Sequence, residues 1–451
     1  MQLARKVLSL GGAAPVAAPF CYADAEIAPA RAPSGAPIVL EPILPDQPII
    51  ETPLDGKRSL AAQPIIDWLL SEARVLEGCG ALLEGVASRL VEAGLPVDRA
   101  TSHVPALHPQ MSALSYFWRS DGGLGEARRV DRRISTSRTY HHSPIAMMHR
   151  TRALVRRRLT GPEAELDFPL LEEIAAEGYT DYAVFPLPFG NGTPAAFSLS
   201  TRAPDGFSDG QIDLIKAISP ALSAASEILA NRHIAAMLLD TYVGHEAGER
   251  ILRGQVTIGS SQTINAIILF CDMRNFTSLS ERLERGPLLE LLNDYFACVV
   301  APLRKAGGEV LKYLGDGMLA IFNLDREEDE EAACAKAMIA ALESVDLIEK
   351  KNAERVEAGK VPFAAGVALH RGEVLYGNIG AEDRLDFTVI GPAVNRASRI
   401  EALCPIIGKP ILTSRAFARA CPVRLLSVGK HKLKGVPRPQ EIFTPGLSIQ
   451  S

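Results

Sequence analysis

Two aspartates stand where a chain can hold a hard cation. Asp272 closes a largely apolar run of strand length that begins at Ile264, and Asp316 sits in the turn Gly315-Asp316-Gly317 between two further strand-like runs. Acids at the ends of neighbouring buried strands are costly unless something cationic lies between them. An oxygen-only donor set with open positions suits Mg²⁺ above all, rather than zinc. Lys312 lies four residues before Asp316. Asn395 and Arg399 lie four apart on a helix opened by Gly391-Pro392, so their side chains point one way.

The elements that must position these groups follow from periodicity. The pattern predicts a strand over 264–272, a helix over about 286–306, strands over 309–314 and 318–322, a long helix over 328–357, and strands over 363–369 and 373–378. The first helix repeats Leu288, Leu291, Leu292, Tyr295, Phe296, Val299 and Val300, a buried face. Two β-α-β halves meeting in one antiparallel sheet make an α+β, ferredoxin-like βαββαβ core.

Four ordered motifs carry a resemblance: Phe-Cys-Asp-Met-Arg-Asn-Phe-Thr (270–277), Leu-Lys-Tyr-Leu-Gly-Asp-Gly (311–317), Phe-Thr-Val-Ile-Gly-Pro-Ala-Val-Asn-Arg-Ala-Ser-Arg (387–399) and Lys-Leu-Lys-Gly (432–435). From Tyr242 to Phe443 the chain closely resembles the catalytic domain of class III nucleotidyl cyclases. The resemblance implies conversion of ATP or GTP to the 3′,5′-cyclic monophosphate and pyrophosphate. It implies two Mg²⁺ per site, with Mn²⁺ able to substitute, on Asp272, Asp316 and the backbone carbonyl of Cys271. Backbone N–H groups of Asn275, Phe276 and Thr277, where strand gives way to helix, can cradle the β- and γ-phosphates. By the resemblance Asn395 orients the ribose, Arg399 stabilises the pentavalent transition state, and Lys434 binds the triphosphate.

Purine choice rests on two positions. Adenylyl enzymes of the family carry Lys at position 312, and guanylyl enzymes carry Glu. A Lys donor suits adenine N1 and clashes with the N1–H of guanine. The partner position, commonly Asp, is Thr388, as in a Thr- or Ser-containing subgroup of which some members respond to bicarbonate. An adenylate cyclase is therefore expected. Lys312 disfavours a guanylate cyclase, and the retention of Asp272, Asp316, Lys312, Asn395, Arg399 and Lys434 disfavours a catalytically inactive nucleotide-binding partner. The resemblance also implies a homodimer, with metal aspartates from one protomer and purine, Asn and Arg contacts from the other.

Of the 451 residues, the rest reads as a sensor and a connector. Residues 1–60 are rich in Ala and Pro and read as a disordered leader without a signal peptide. Residues 61–210 alternate helical and strand patterns. They resemble a GAF domain, a small-molecule sensor, with its ligand unspecified; His103, His108, His141, His142 and His149 match no known ligand spacing. Residues 211–256 read as a linking helix and transducer segment, in which Pro220 is expected to kink or divide the helix. By the resemblance, residues 257–446 are expected to form the catalytic domain. A net charge of −5 offers no nucleic-acid surface, and no apolar run approaches the roughly 20 residues that span a bilayer. Seven scattered cysteines fit reduced thiols in a cytoplasmic protein.

Overall fold

The structure, a computed structural model, describes residues 61–446 except 109, 258, 328 and 382. The expected leader over 1–60 lies outside the described residues. All described residues fall within one compact unit.

The helical periodicity after Pro64 resolves into two helices, α1 (Gln63–Leu70) and α2 (Cys79–Glu92), because the chain becomes extended at Leu76 and again at Gly78. Strands β1 (Arg99–Pro105), β2 (Met111–Arg119), β3 (Gly123–Leu124) and β4 (Arg128–Asp131) follow, then α3 (Pro144–Thr151), β5 (Val155–Arg158), α4 (Pro169–Ala176), and the hairpin β6 (Asp181–Leu187) and β7 (Ala195–Thr201). Their sheet runs β3-β2-β1-β7-β6-β5, with β4 paired to β2. One face buries Ala100, Phe185, Phe197 and Leu199 against Leu69, Val86 and Leu90 of α1 and α2. On β1, β2 and β7, Thr101, His103, Ser115 and Ser198 form a hydrogen-bonded polar column.

Helix α5 (Asp209–Val243) starts with a capping box between Ser208 and Gln211 and runs through Pro220 as one helix, so of the expected kink or division the division does not occur. A proline inside a helix costs about 3 kcal/mol. Ile215, Ile218 and Leu222, all buried in the first core, offset that loss at about 1.5–3 kcal/mol each. The first half of the helix therefore belongs to the core of the N-terminal sheet. Gly244, with φ +92°, ends it, and α6 (His245–Leu252) follows.

The second sheet is built from β8 (Ser261–Met273), the short α7 (Phe276–Arg282), α8 (Arg285–Lys305), β9 (Glu309–Leu314), β10 (Gly317–Asn323), α9 (Glu330–Glu357), β11 (Ala365–Ala381), β12 (Arg384–Ile390), α10 (Pro392–Glu401), β13 (Ile411–Ser414), β14 (Leu425–His431) and β15 (Gln440–Pro445). Its order is β14-β15-β13-β11-β8-β10-β9, with β12 paired to β11. The two strands expected over 363–369 and 373–378 are one. The β11–β8 ladder continues from Ala365 opposite Met273 to Gly377 opposite Ser261. A turn at Arg371-Gly372 would forfeit the pairings with Ile267 and Ala266, and buried backbone groups are rarely left unpaired. The sheet is also not wholly antiparallel, since β13 runs parallel to β11.

Alternation along β8 sorts its side chains. Ile267, Leu269, Cys271 and Met273 pack under α8 and α9, while Ile264, Ala266 and Ile268 face the other way with Ala393 and Ala397 of α10. Asp272 shares the parity of the second set, so period two alone directs its carboxylate to the α10 face.

Candidate active site

The two aspartates meet. Asp272 lies opposite Gly317 of β10 on one side and Gly366 of β11 on the other. A Cβ added at Gly317 would stand 3.0 Å from Asp272 Oδ1 and 3.5 Å from the Cys271 carbonyl oxygen. Carboxylate and carbonyl thus open onto one hollow that only glycine leaves free. Burial, then the neighbouring Asp316, with which it shares a side-chain hydrogen bond, push the Asp272 carboxyl up to about 6. The Cys271 thiol is turned away, bonded to Tyr295 Oη at 3.0 Å and pushed up to about 12 by burial, so only its backbone is available as a donor.

The sequence reading missed a third acid in this place. Glu401, at the end of α10, is 8% exposed, and its Oε1 lies 2.5 Å from where a Cβ on Gly366 would be. Burial first, then Asp272, push its carboxyl up to about 7, against the opposing Arg274. Its signal was faint: one acid two residues after Arg399, on a helix already occupied by polar groups.

Two carboxyl groups pushed towards their neutral form, Asp272 and Glu401, with the Asp316 side chain beside Asp272, mark a place that favours a cation. The donors nearest the hollow, Asp272, Asp316 and the Cys271 carbonyl, are oxygens only, which fits a hard divalent ion. Among the described residues no group of three or more His, Cys, Asp or Glu is placed to hold a metal ion.

Past Met273 the chain turns sharply. Asn275 adopts a left-handed conformation (φ 58°), tolerated by Asn better than by most residues, and α7 begins at Phe276. Phe276 packs on the α8–α9 core, and Thr277 is exposed. This puts the first turn of α7 directly after Asp272.

On α10, Asn395 is exposed and Arg399 half-buried. Arg399 makes no ion pair among those found in the described residues; its guanidinium lies against Gly435, with Nη2 3.5 Å from where a Cβ would stand. The buried Leu433 anchors that loop beside Ile400, which leaves the exposed Lys434 next to Arg399's contact. The structure thus brings the loop of Lys434 to Arg399.

Lys312, on β9, donates to Asp386 Oδ2 at 3.2 Å. The sequence reading had looked to Thr388 as its partner position. Thr388 is buried on β12, and its Oγ1 has no hydrogen-bond partner. Asp386 and Thr388 are two apart on one strand, so period two would have placed them on the same face. A cavity of ≈ 870 Å³ runs along β9, bordered by Lys312, Asp386 and Phe387 on one side and by Tyr242, Gly244 and Arg304 on the other. No hydrogen bond or ion pair among the described residues joins Asp272 and Asp316 to Lys312, Asn395 or Arg399.

Behind the site, α6 is strapped to β9. Glu309 accepts from the Glu246 backbone N–H at 3.0 Å and from Tyr376 Oη at 2.9 Å. Arg250 and Arg326 pair with the Glu246 side chain. Among the described residues, His103 bonds Ser115, and His149 bonds Tyr140 through Nδ1 while its buried Nε2 has no hydrogen-bond partner. The cysteines of this region are free and buried, and no described helix is long and apolar enough to cross a membrane.

Residues 258–425 match the family model of the adenylate and guanylate cyclase catalytic domain. An adenylate cyclase of Anabaena cylindrica is 39% identical over 173 residues, covering 37% of this chain and 33% of that protein. Adenylate cyclase 1 of Rhizobium meliloti is 27% identical over 202 residues, covering 44% of this chain and 29% of that protein. Among solved structures, the adenylyl cyclase CyaB from P. aeruginosa shares 26% identity at a TM-score of 0.39, covering 42% of this chain and 98% of that one. The chain spans about a third of the length of the curated relatives it matches.

Proposed function

We propose that the C-terminal half, residues 257–446, cyclises ATP to 3′,5′-cyclic AMP and pyrophosphate. The observation that carries this is the hollow opposite Gly317, where Asp272, Asp316 and the Cys271 carbonyl converge on the α10 face of the sheet. The β8-α8-β9-β10-α9-β11 path, in the order β11-β8-β10-β9, supports the ferredoxin-like reading of the core. The names of the relatives, adenylate cyclases over the matched segment, favour the same chemistry.

In-line attack of the ribose 3′-oxygen on the α-phosphorus builds negative charge on the attacking oxygen, the phosphoryl oxygens and the departing pyrophosphate. Asp272, Asp316 and the Cys271 carbonyl would hold divalent cations, Mg²⁺ or Mn²⁺, which when bound neutralise the triphosphate and lower the pKa of the attacking hydroxyl. The protein's own groups do the rest. The N–H groups of Asn275, Phe276 and Thr277 bind terminal phosphates, as a helix start does. Asn395 orients the ribose. Arg399 and Lys434 place positive charge where the transition state is negative. Lys312 and Thr388 read the purine edge, the first as donor to N1 and the second as acceptor from the N6 amine.

The same arrangement supports reading the protein as a homodimer. The acids and the purine-reading groups are not joined within one chain, and Tyr313, Leu314, Leu375 and Ile390 leave apolar surface exposed near them, a pattern that suits cover by a second copy. The N-terminal half, residues 61–210, is read as a GAF-like sensor, on the strength of its antiparallel sheet with α1, α2 and α5 on one face. Its signal, from an unidentified small molecule, would pass along α5 and through Gly244 to the α6–Glu309 strap.

The test is direct. Purified full-length protein is incubated with ATP or GTP and Mg²⁺ or Mn²⁺, and cyclic product is measured. Cyclic AMP formed in preference to cyclic GMP supports the proposal; no cyclic product from either nucleotide overturns it.

A further inference from the structure

Lys312 is held by Asp386, not by the Thr388 position, and this bears on how a purine is chosen. A lysine alone is a poor discriminator. Its ammonium has three donors on a flexible four-carbon stem, and it can donate to adenine N1 or to guanine O6. Which purine it favours depends on where the nitrogen is held.

We propose that Asp386 is a positioning residue for purine choice, fixing the Lys312 ammonium so that one N–H stays with the carboxylate and another is aimed at the purine N1. The inference rests on the cyclase reading above. The Thr388 hydroxyl, two residues along the same face of β12, is the second contact. It is buried without a hydrogen-bond partner, a costly state that a polar ligand atom relieves. Between the two, Phe387 points the other way and is pinned, its ring 4.7 Å from Tyr376 and 5.5 Å from the Arg250 guanidinium. The strand that presents Asp386 and Thr388 is therefore fixed from beneath. The Lys312–Asp386 pair is largely solvated on the acid's side, with the Asp386 side chain 61% exposed, so it adds little to stability and its removal strands no buried charge.

The experiment measures kcat and KM with ATP and with GTP for the wild type, Asp386→Ala, Asp386→Asn, Lys312→Met and the Lys312→Met/Asp386→Ala double variant. Asp386→Ala is expected to raise the KM for ATP and cut the ATP-over-GTP preference in kcat/KM about tenfold, the scale of one lost hydrogen bond of positioning. Asp386→Asn, whose amide oxygen still accepts, should retain part of the preference. In the Lys312→Met background, loss of Asp386 should change nothing further. An unchanged preference in a folded Asp386→Ala variant overturns the inference, and so does an equal loss in the Lys312→Met background. Equilibrium binding of anthraniloyl-ATP against anthraniloyl-GTP reads the same preference without turnover. A wild type that binds but makes no cyclic product sinks the cyclase reading, while the binding ratio still decides the role of Asp386.

Discussion

Gly317 faces Asp272 across the β8–β10 ladder, and a methyl group at 317 would stand 3.0 Å from the carboxylate oxygen. That distance is shorter than the aspartate can accept without moving. Gly317→Ala is therefore expected to leave the fold intact by circular dichroism while displacing Asp272. The shift needed is a few tenths of an ångström, and since about 1 Å of misplacement costs on the order of 10²-fold, a smaller but measurable loss of rate is expected. The check is the Mn²⁺ dependence of turnover; a variant with wild-type rate and metal response would show that the hollow is not the metal site.

Complementation tests the shared site. Asp272→Ala and Asn395→Ala should each abolish turnover alone, since one removes a metal donor and the other a ribose contact. Mixed together, they should recover partial activity through heterodimers that assemble one complete site. Absence of recovery in mixtures shown by cross-linking to contain heterodimers would argue for sites made within one chain.

Glu401 predicts an unusual pH response. Its carboxyl is raised from the ordinary 4.5 to about 7 by burial and by Asp272. A raised folded-state pKa means the contribution is present below about 4.5 and is lost as pH rises through about 7. In the presence of EDTA, Glu401→Gln should accordingly gain stability over the wild type at pH 8 and lose most of that gain at pH 5. Urea denaturation of both proteins at the two pH values reads the difference directly. A gain that is the same at both would mean that Glu401 is not held protonated.

The layer beneath the site rests on a buried charge. Arg355 of α9 is 4% exposed, bonds Asp294 of α8 at 2.5 Å, and donates to the Val361 carbonyl. Asp294→Ala leaves the guanidinium buried with only part of its hydrogen bonding. The expected loss is about 2–3 kcal/mol, below the range for fully buried pairs because Asp294 is itself part-exposed. A urea midpoint within error of the wild type would contradict this.

Much of the C-terminal half was legible along the chain. The apolar alternation of β8, the leucine face of α8 and the turn at Gly315-Asp316-Gly317 are local signals, and each element formed close to where its period placed it. The failures share one cause. Pro220 sits in an unbroken helix because Ile215, Ile218 and Leu222 are buried, and Arg371-Gly372 stays in strand because β8 pairs with it. In both cases tertiary packing outweighed a local breaker.

The sequence by itself determined which groups exist and which side of each element they occupy: Asp272 on the α10 face of β8, Asn395 and Arg399 on one side of α10, Lys312 four residues from Asp316. Those are consequences of fixed backbone periods and need no knowledge of neighbours. Only the tertiary structure decided which groups meet. It set Asp316 beside Asp272 above Gly317, brought Glu401 to the same place across Gly366, laid Arg399 against the Lys434 loop, and gave Lys312 to Asp386 rather than Thr388. Such contacts depend on register between strands far apart in the chain and on where a glycine leaves room, and neither is written in any local pattern.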